Sequence, residues 1–481
     1  MTATDMLTAA EVRRRVGHPI VDGDGHFLEF MPLVNDEITS YLEESGGTAL
    51  AERFRTQVRG AFDTAVFQAD RSAPEVLERW ASMPSWWGNP TDDAHERATA
   101  HLPALMYERL DELGIDVMCI YPSWTLGFVE AGDDELRAHA CRGVNRYISR
   151  LFAGYEDRFV PAGVIPMDTP EMAVGELRYA AEELGMKSVV LAGNVARPVP
   201  SGGTRLDVFG LDSAHDYDPV WATCVELGLA PAFHSSLQYS HSARSVSSYV
   251  YNHVGGIAGA HTVLAKALFL GGALRRHPEL RIGFLEGGVA WAASLLADLV
   301  GHWNKRGGHA IADLDPANLD VAAVLALVER YGDDQMRANL DRIGEYLSRR
   351  PGRPEQLDEF AAAGVTSVED ILEPFENRLF FGCEADDPLV GFAFGLDLEG
   401  TPAQLRPVLG SDVSHWDAPV MGDVMVEAYE LLEHGILTPE QFKAFTFDNP
   451  VLLHGGANPD FYVGTPVETE AAALLAARLG R

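Results

Sequence analysis

The sequence predicts an α/β fold, a closed (β/α)8 TIM barrel with helical insertions. Eight apolar segments rich in β-branched and aromatic residues alternate with helical segments, as expected for parallel strands covered by helices on both faces. Several strands end in histidine or an acidic residue, and a closed barrel explains this because all its strands open on one face. An open doubly wound sheet is the alternative, but it gives no reason for this recurrence. The strands are expected to begin near Pro19, Ile115, Phe159, Ser188, Ala230, Ile282, Leu379 and Pro407.

Length and composition are compatible with one large folded domain. The chain has 481 residues, of which 47% are apolar and 9% aromatic, and it contains no long low-complexity run. Such a composition supports a large buried core. We expect a single barrel domain over residues 1–481, interrupted by insertions at about 30–110 and 291–375.

The charge balance is strongly acidic and limits the possible partners. Lys and Arg number 37 against 71 Asp and Glu, a formal net charge of −34. This excess would repel phosphate backbones and anionic membranes, so we expect neither nucleic acid nor a membrane as partner. A small-molecule substrate is expected instead. An anionic substrate would require a metal ion or a few arginines to offset the charge locally.

The cysteines and the N-terminus indicate the compartment. Four cysteines lie far apart in apolar surroundings typical of buried free thiols, namely Cys119, Cys141, Cys224 and Cys383, which favours a reducing environment. The N-terminus lacks the apolar run of a signal peptide, and no later stretch approaches a membrane span. We therefore expect a cytoplasmic protein.

The first strand carries the first candidate ligands. Residues 20–29 read I-V-D-G-D-G-H-F-L-E. Asp24 and His26 are two apart and so point to the same side of an extended strand, while Gly23 and Gly25 leave the backbone free to kink. The pair suits metal ligation at a strand end. The alternative is a polar turn containing a hydrogen-bonded histidine.

The first insertion and the second strand supply candidate pocket walls. Helices are expected at 35–44, 50–67 and 74–81, followed by Trp86 and Trp87, which suit either a lid over a pocket or a hydrophobic plug. The second strand ends close to Tyr121 and Trp124. Both aromatic residues are candidate substrate contacts at the barrel mouth.

The fifth, sixth and eighth strands end in the other candidate residues. They carry His234, Glu286 and Asp412 respectively. His234 could instead cap a loop, and Asp412 could be a turn residue. Further candidate substrate contacts follow these strands: Arg244, expected to clamp a substrate carboxylate, His253 and His415.

A closed barrel would bring these strand ends together at one mouth. Two imidazoles and two or more carboxylates match the ligand preferences of zinc or a similar divalent ion, with one position left for water or substrate. We expect Zn²⁺, with Mn²⁺ or Fe²⁺ as alternatives.

The motifs at these strand ends resemble one known family. D-x-D-x-H on strand one, F-H-S on strand five, L-E-G-G on strand six and G-S-D-x-x-H-W-D on strand eight look like the amidohydrolase superfamily. The resemblance is strongest to amidohydrolase family 2, the aminocarboxymuconate-semialdehyde-decarboxylase-like branch. A terminal D-N-x-x-x-L-x-G pattern recurs at Asp448, Asn449, Leu452 or Leu453, and Gly455. The resemblance covers about residues 19–456 but explains neither insertion.

The resemblance implies a metal site and two departures from the family pattern. In the family an H-x-H pair, a strand-five His and a strand-eight Asp hold one metal, and these roles fall on Asp24, His26, His234 and Asp412. Asp24 replaces the first His, as an acidic residue does in some decarboxylases of the family. Strand six presents Glu286 where many relatives have a His that acts on water or substrate.

The chemistry requires a base beside the ion. A divalent ion can polarise a substrate oxygen or lower the pKa of its water. Glu286 is the candidate for proton transfer, although a structural salt bridge is its alternative role. Asp412 would also orient water or substrate. Glu286, Asp412 and His234 are thus the predicted catalytic residues.

Three functional hypotheses follow. The first is a non-oxidative decarboxylase of a small aromatic or unsaturated carboxylic acid, motivated by the acidic first ligand. The second is a metal-hydroxide hydrolase of an ester, amide or lactone, or a hydratase. The third is a metal-free binding barrel. A homodimer or larger assembly is expected, because the segments 250–280 and 291–347 carry more apolar surface than the ring of one barrel covers.

Overall fold

The computed structural model describes residues 7–57, 92–130, 134–234, 245, 247–349 and 357–480. The chain divides into two compact units. Unit one comprises Met1–Leu295 and Glu373–Arg481, and unit two comprises Leu296–Leu372. The predicted helix at 74–81 and the candidate lid residues Trp86 and Trp87 lie outside the described residues.

Unit one contains the predicted barrel. Eight parallel strands are paired in the order in which they occur along the chain. Each begins within two residues of its expected start, which confirms the (β/α)8 prediction. The barrel strands are Val21–Phe27, Val117–Pro122, Phe159–Ile165, Ser188–Leu191, Pro231–Phe233, Ile282–Phe284, Leu379–Glu384 and Pro407–Gly410.

The sheet closes between its last and first strands through hydrogen bonds just beyond strand eight. The Asp412 amide donates to the Asp24 carbonyl at 3.1 Å, and the His26 amide donates to the Val413 carbonyl at 3.2 Å. At the other end of strand eight, the Asn449 side chain donates to the Pro407 carbonyl at 2.8 Å. These bonds place the residue after strand eight directly beside the first strand.

Helices surround the barrel and cap themselves locally. For example, the Thr169 hydroxyl accepts from the Met172 amide at the start of its helix, as Thr favours at this position. The helices that include residues of unit one are Ala9–Val16, Met31–Ser45, Thr48–Gln57, Ala94–His101, Pro103–Leu113, Asp134–Leu151, Pro170–Arg178, Asp218–Glu226, Tyr249–His253, Gly256–Leu270, Ala273–Arg276, Ala290–Arg306, Val368–Asn377, Val424–Glu433, Pro439–Lys443, Asn449–Ala457 and Glu468–Leu479.

Shorter elements complete unit one. Short 3₁₀ helices span Thr125–Glu130, Pro388–Phe394 and Met421–Asp423, and π-helical turns span Tyr179–Glu183 and Ala444–Asp448. Two antiparallel hairpins outside the barrel were not predicted. They pair Val195–Pro198 with Thr204–Asp207, and Leu396–Leu398 with Thr401–Ala403.

Unit two is helical. Trp303 packs edge-on against Phe360, with ring centroids 5.6 Å apart. Two of its helices, Val321–Tyr331 and Leu340–Ser348, bury none of their residues. Its remaining elements are Asp334–Arg337, Glu359–Ala362 and the 3₁₀ turns Gly308–Leu314 and Pro316–Asn318.

All four cysteines are buried free thiols, as predicted. One expectation needs correction, because a helical stretch among the described residues, Tyr249–Leu270, is apolar and long enough to cross a membrane. Half of its most apolar window is buried inside the protein. Core helices of globular proteins share these properties, and the composition of residues 256–270, rich in Ala, Gly and Leu, suits close packing.

Candidate functional site

A bulge in the first strand shapes one wall of the site. Val21 and Asp22 pair with Val117 and Met118, but the register shifts before Gly25. The extra residue re-aims the side chains, as bulges beside active sites commonly do. A Cβ on Gly23 would lie 2.3 Å from the side chain of Val408 on strand eight. Gly23 therefore lies at the predicted kink, and the close approach of strand eight also leaves no room for a side chain there.

Four candidate metal ligands converge at the C-terminal ends of strands one, five and eight. The Nε2 atoms of His26 and His234 are 2.9 Å apart. Oδ1 of Asp24 lies 3.5 Å from Nε2 of His26 and 3.6 Å from Nε2 of His234. Oδ1 of Asp412 lies 3.5 Å from the same His26 nitrogen. All four residues are buried.

These distances fit a single cation. Two ligands about 2.1 Å from an ion lie about 3.0 Å apart at a right angle and about 3.4 Å apart at a tetrahedral angle. The three distances among the side-chain atoms of Asp24, His26 and His234 fall around these values. Asp412 joins this cluster through His26, at 3.5 Å, and it groups with His26 and His415. Oδ1 of Asp24 and Oδ2 of Asp412 are buried and accept no hydrogen bond within the described residues. Buried carboxylate oxygens without donors are costly unless a cation satisfies them.

The charge state of Asp24 follows from its neighbours. Burial alone would raise the pKa of this carboxyl, but the His234 and His26 imidazoles hold it well below its usual range. The pKa of His234 shifts in the opposite direction, upward. Burial would lower the pKa of its imidazole, but Glu286 and Asp24 raise it. The first-strand carboxylate is thus kept in the ionised form that a cation requires.

Glu286 contacts this cluster from strand six. Its Oε2 lies 3.2 Å from Nε2 of His234, and its Oε1 lies 3.9 Å from Nε2 of His253. Burial would raise the pKa of Glu286, but His234 and His253 lower it. Its backbone is left-handed, with φ of 60°. The carboxylate predicted at this strand end therefore reaches the imidazoles from the cavity side.

The segment after strand eight holds Asp412 in a polar network. Nδ1 of His415 lies 2.6 Å from Oδ1 of Asp412, and Nε2 of His415 is 2.8 Å from the Ser123 hydroxyl. The His415 ring also stacks on His26 at 4.0 Å. Burial and the nearby Asp417 carboxyl raise the pKa of Asp412 well above its ordinary value. His415, predicted as a substrate contact, thus lies against two candidate ligands.

One further group of carboxylates lies beside Asp412, and Glu384 in this group is not among the predicted site residues. Glu384, the last residue of strand seven, and Asp417 have carboxylate oxygens that lie with one of Asp412 within 4.8 Å of one another. Burial and the neighbouring Asp417 raise the pKa of Glu384 well above its ordinary value. The sequence does contain a signal for Glu384. Like the predicted site residues on other strands, it is a carboxylate at the end of a barrel strand.

The other predicted substrate contacts have different positions. Tyr121 is fully buried, with its ring 6.0 Å from that of His234. Trp124 is partly exposed, and its backbone amide donates to Glu29 at 3.0 Å. His253 contacts Glu286 and packs edge-on against Trp416. Arg244 lies outside the described residues.

A cavity of about 550 Å³ opens beside the cluster. Its apolar wall includes Val254, Ile257 and Trp416. Glu286, which contacts the His234 imidazole, also lines the cavity. No Lys or Arg is among the described residues that line it. Five carboxylates do line it, namely Glu286, Glu384, Asp386, Asp417 and Glu427.

Fold and site together define a (β/α)8-barrel enzyme with buried imidazoles and carboxylates at the C-terminal face of the barrel. The chain matches the family model described as Amidohydrolase over residues 21–336, about two thirds of its length, and therefore belongs to the amidohydrolase family. The predicted resemblance is thereby confirmed. Members of this family are generally metal-dependent enzymes that act on small molecules.

Solved structures of similar fold include an amidohydrolase from Mycobacterium avium subsp. paratuberculosis K-10. It is 16% identical, with a TM-score of 0.56, and the match covers 91% of this chain and 99% of that one. A dihydroxybenzoic acid decarboxylase from Polaromonas sp. JS666, solved with manganese and 2-nitroresorcinol, is 13% identical with a TM-score of 0.48, over 93% and 99% of the two chains. A 5-carboxyvanillate decarboxylase from Novosphingobium aromaticivorans DSM 12444, complexed with manganese, is 14% identical with a TM-score of 0.46, over 93% and 97%.

Proposed function

We propose that this chain is a metal-dependent enzyme that holds one divalent cation between Asp24, His26, His234 and Asp412. The observation that carries the proposal is the convergence of two imidazole nitrogens and a buried Asp24 oxygen without a hydrogen-bond donor among the described residues. Mixed nitrogen and oxygen donors suit Zn²⁺, Mn²⁺ or Fe²⁺. Such an ion, when bound, supplies Lewis acidity toward a substrate oxygen or a water.

The proton-transferring residue in this proposal is Glu286. Its carboxylate lines the cavity and lies next to His234, so it can reach a substrate atom that faces the cluster. His253 lies on the other side of the same carboxylate and can orient it. Asp412 positions the reacting group from strand eight, where the partly buried ring of His415 restricts its movement.

The first candidate reaction is non-oxidative decarboxylation of a small aromatic or unsaturated carboxylic acid. The acidic residue in the first ligand position, Asp24, motivates it. Cleavage of the carbon–carbon bond releases carbon dioxide and leaves the electron pair on the substrate carbon, which then takes a proton. Glu286, once protonated, is suited to deliver that proton from the cavity wall. The cavity of about 550 Å³ has the size range of small-molecule sites.

The second candidate is hydrolysis of an ester, amide or lactone, or hydration of a double bond. One observation favours it, because five carboxylates and no Lys or Arg line the described part of the cavity. This lining disfavours an anionic substrate by like-charge repulsion. In this reaction Glu286 would take the proton from the attacking water.

One paired assay separates the candidates. The purified chain is offered hydroxybenzoic and muconic-type acids with detection of carbon dioxide, and activated esters and lactones with detection of the released alcohol or acid. Release of carbon dioxide without hydrolysis supports the first candidate, and the reverse supports the second. The matched control is His234→Ala, which must lose the activity. Less than about half an equivalent of divalent metal, not restored by zinc or manganese, would instead favour a metal-free binding barrel.

A further inference from the structure

Two further carboxylates lie close to Asp412. Glu384 ends strand seven, and Asp417 follows strand eight. One oxygen from each, together with one from Asp412, lies within 4.8 Å of the other two. Both Glu384 and Asp417 line the cavity. Within the described residues, no Lys or Arg forms an ion pair with any of the three.

A separate observation is that some of these buried carboxylate oxygens lack hydrogen-bond donors among the described residues. Asp412 is 3% exposed; its Oδ1 lies 2.6 Å from Nδ1 of His415, and its Oδ2 accepts no hydrogen bond from the described residues. Oδ1 of Asp417 is buried and lacks a partner in the same way. Structures rarely leave buried carboxylate oxygens without donors, because each then bears its full cost of desolvation. A single cation held by the two imidazoles would contact at most some of these carboxylate oxygens.

We propose that Glu384, Asp412 and Asp417 form a second cation site beside the first, with Asp412 bridging the two. Oxygen is the only donor type in this set, which is the preference of hard ions such as Mg²⁺, Mn²⁺ or Ca²⁺. The first site has two imidazole donors and suits softer ions. The two sites therefore differ in chemistry although they share one carboxylate.

A second cation changes what the cavity can bind. This inference rests on the proposed metal-dependent function and specifies its substrate class. Five carboxylates line the described cavity, and they would repel an anionic substrate. A divalent ion at the second site offsets two of those charges close to Glu286 and offers a positive partner for a substrate carboxylate. The ion thus makes a carboxylic acid an acceptable substrate despite the acidic lining.

The test counts Mn²⁺ ions bound by the full chain. Protein stripped with a chelator is titrated with Mn²⁺, and bound metal is measured by calorimetry and elemental analysis. The unaltered chain is expected to bind two equivalents. Asp417→Asn and Glu384→Gln, which keep side-chain size, are each expected to bind one. Asp386→Asn is the matched control, since it removes a neighbouring cavity carboxylate outside the set and should still bind two. Circular dichroism verifies that each variant is folded.

The outcomes separate this inference from the proposed function. One equivalent in the unaltered chain, lost in His234→Ala and kept in Asp417→Asn, would overturn the second site and leave the first intact. Two equivalents in the unaltered chain and in both Asp417→Asn and Glu384→Gln would also overturn it. Binding that is lost in Asp417→Asn but unaffected by His234→Ala would support the second site and contradict the first.

Discussion

Replacement of Glu286 by Gln tests the proposed proton transfer most directly. Glutamine keeps the size of the side chain and can still interact with His234, whose Nε2 lies 3.2 Å from Oε2. It removes the negative charge and the basic site. General acid–base catalysis contributes typically about 10²- to 10⁴-fold, which corresponds to about 3 to 5 kcal/mol of activation free energy at about 1.4 kcal/mol for each factor of ten.

The structure indicates whether this loss of activity should appear in kcat or in KM. Glu286 is not one of the four converging candidate ligands, so metal content should change little. The expected signature is therefore a lower kcat with KM and bound metal nearly unchanged. The assay is steady-state kinetics on the substrate identified by the paired assay, with elemental analysis of each preparation. Glu427→Gln is the matched control, because it removes an exposed carboxylate from the same cavity wall.

Two results would refute the proposed role of Glu286. Unchanged turnover in Glu286→Gln would reduce it to a structural partner of His234. Loss of metal in this variant would make it a ligand, and the strand-six carboxylate would then belong to the coordination set.

Three further predictions concern the metal, the fold and the assembly. His234→Ala is expected to lose the cation held by the imidazoles and all activity while its circular dichroism is unchanged; full retention of metal would contradict the ligand assignment. Burial lowers the pKa of His454 to about 3 from 6.5, so below pH 6.5 the unfolded chain takes up a proton that the folded chain resists. Its contribution to stability is therefore lost as pH falls from 6.5 toward 3, at up to roughly 1.4 kcal/mol per pH unit, and His454→Phe should flatten this slope in denaturant unfolding from pH 6 to 4; an unchanged slope would argue against a neutral buried ring. The helices Val321–Tyr331 and Leu340–Ser348 bury no residue although they carry apolar side chains, so light scattering at micromolar protein is expected to give a dimer or larger, and a monomeric mass would refute this.

The barrel could be predicted because its signal is local. Each strand is an apolar run between turn residues, and the starts of all eight were found within two residues. The C-terminal positions of Asp24, His26, His234 and Asp412 then followed from the topology alone. A repeated strand–helix pattern and one geometric rule therefore specify these positions in the barrel.

The details of the site depend on contacts between distant parts of the chain. The bulge before Gly25 is set by pairing with strand two and by the approach of Val408. No local pattern in D-G-D-G-H specifies either contact. The sequence does not single out Glu384, because the acidic segment C-E-A-D-D in which it lies is also typical of a solvated loop. Its proximity to Asp412 is visible only once strands seven and eight are paired.

Backbone strain links the two carboxylates at the centre of the proposal. Glu286 and Asp412 are each the second residue after a barrel strand ends, and both have positive φ, 60° and 44° respectively. A left-handed conformation costs a residue other than glycine roughly 1 to 2 kcal/mol. Glycine would adopt it freely, as Gly288 does nearby with φ of 67°. Non-glycine residues in such conformations concentrate at functional sites, and here the two side chains that bear the strain reach the imidazole cluster. The strain is therefore better explained by the placement of two carboxylates than by the turns themselves.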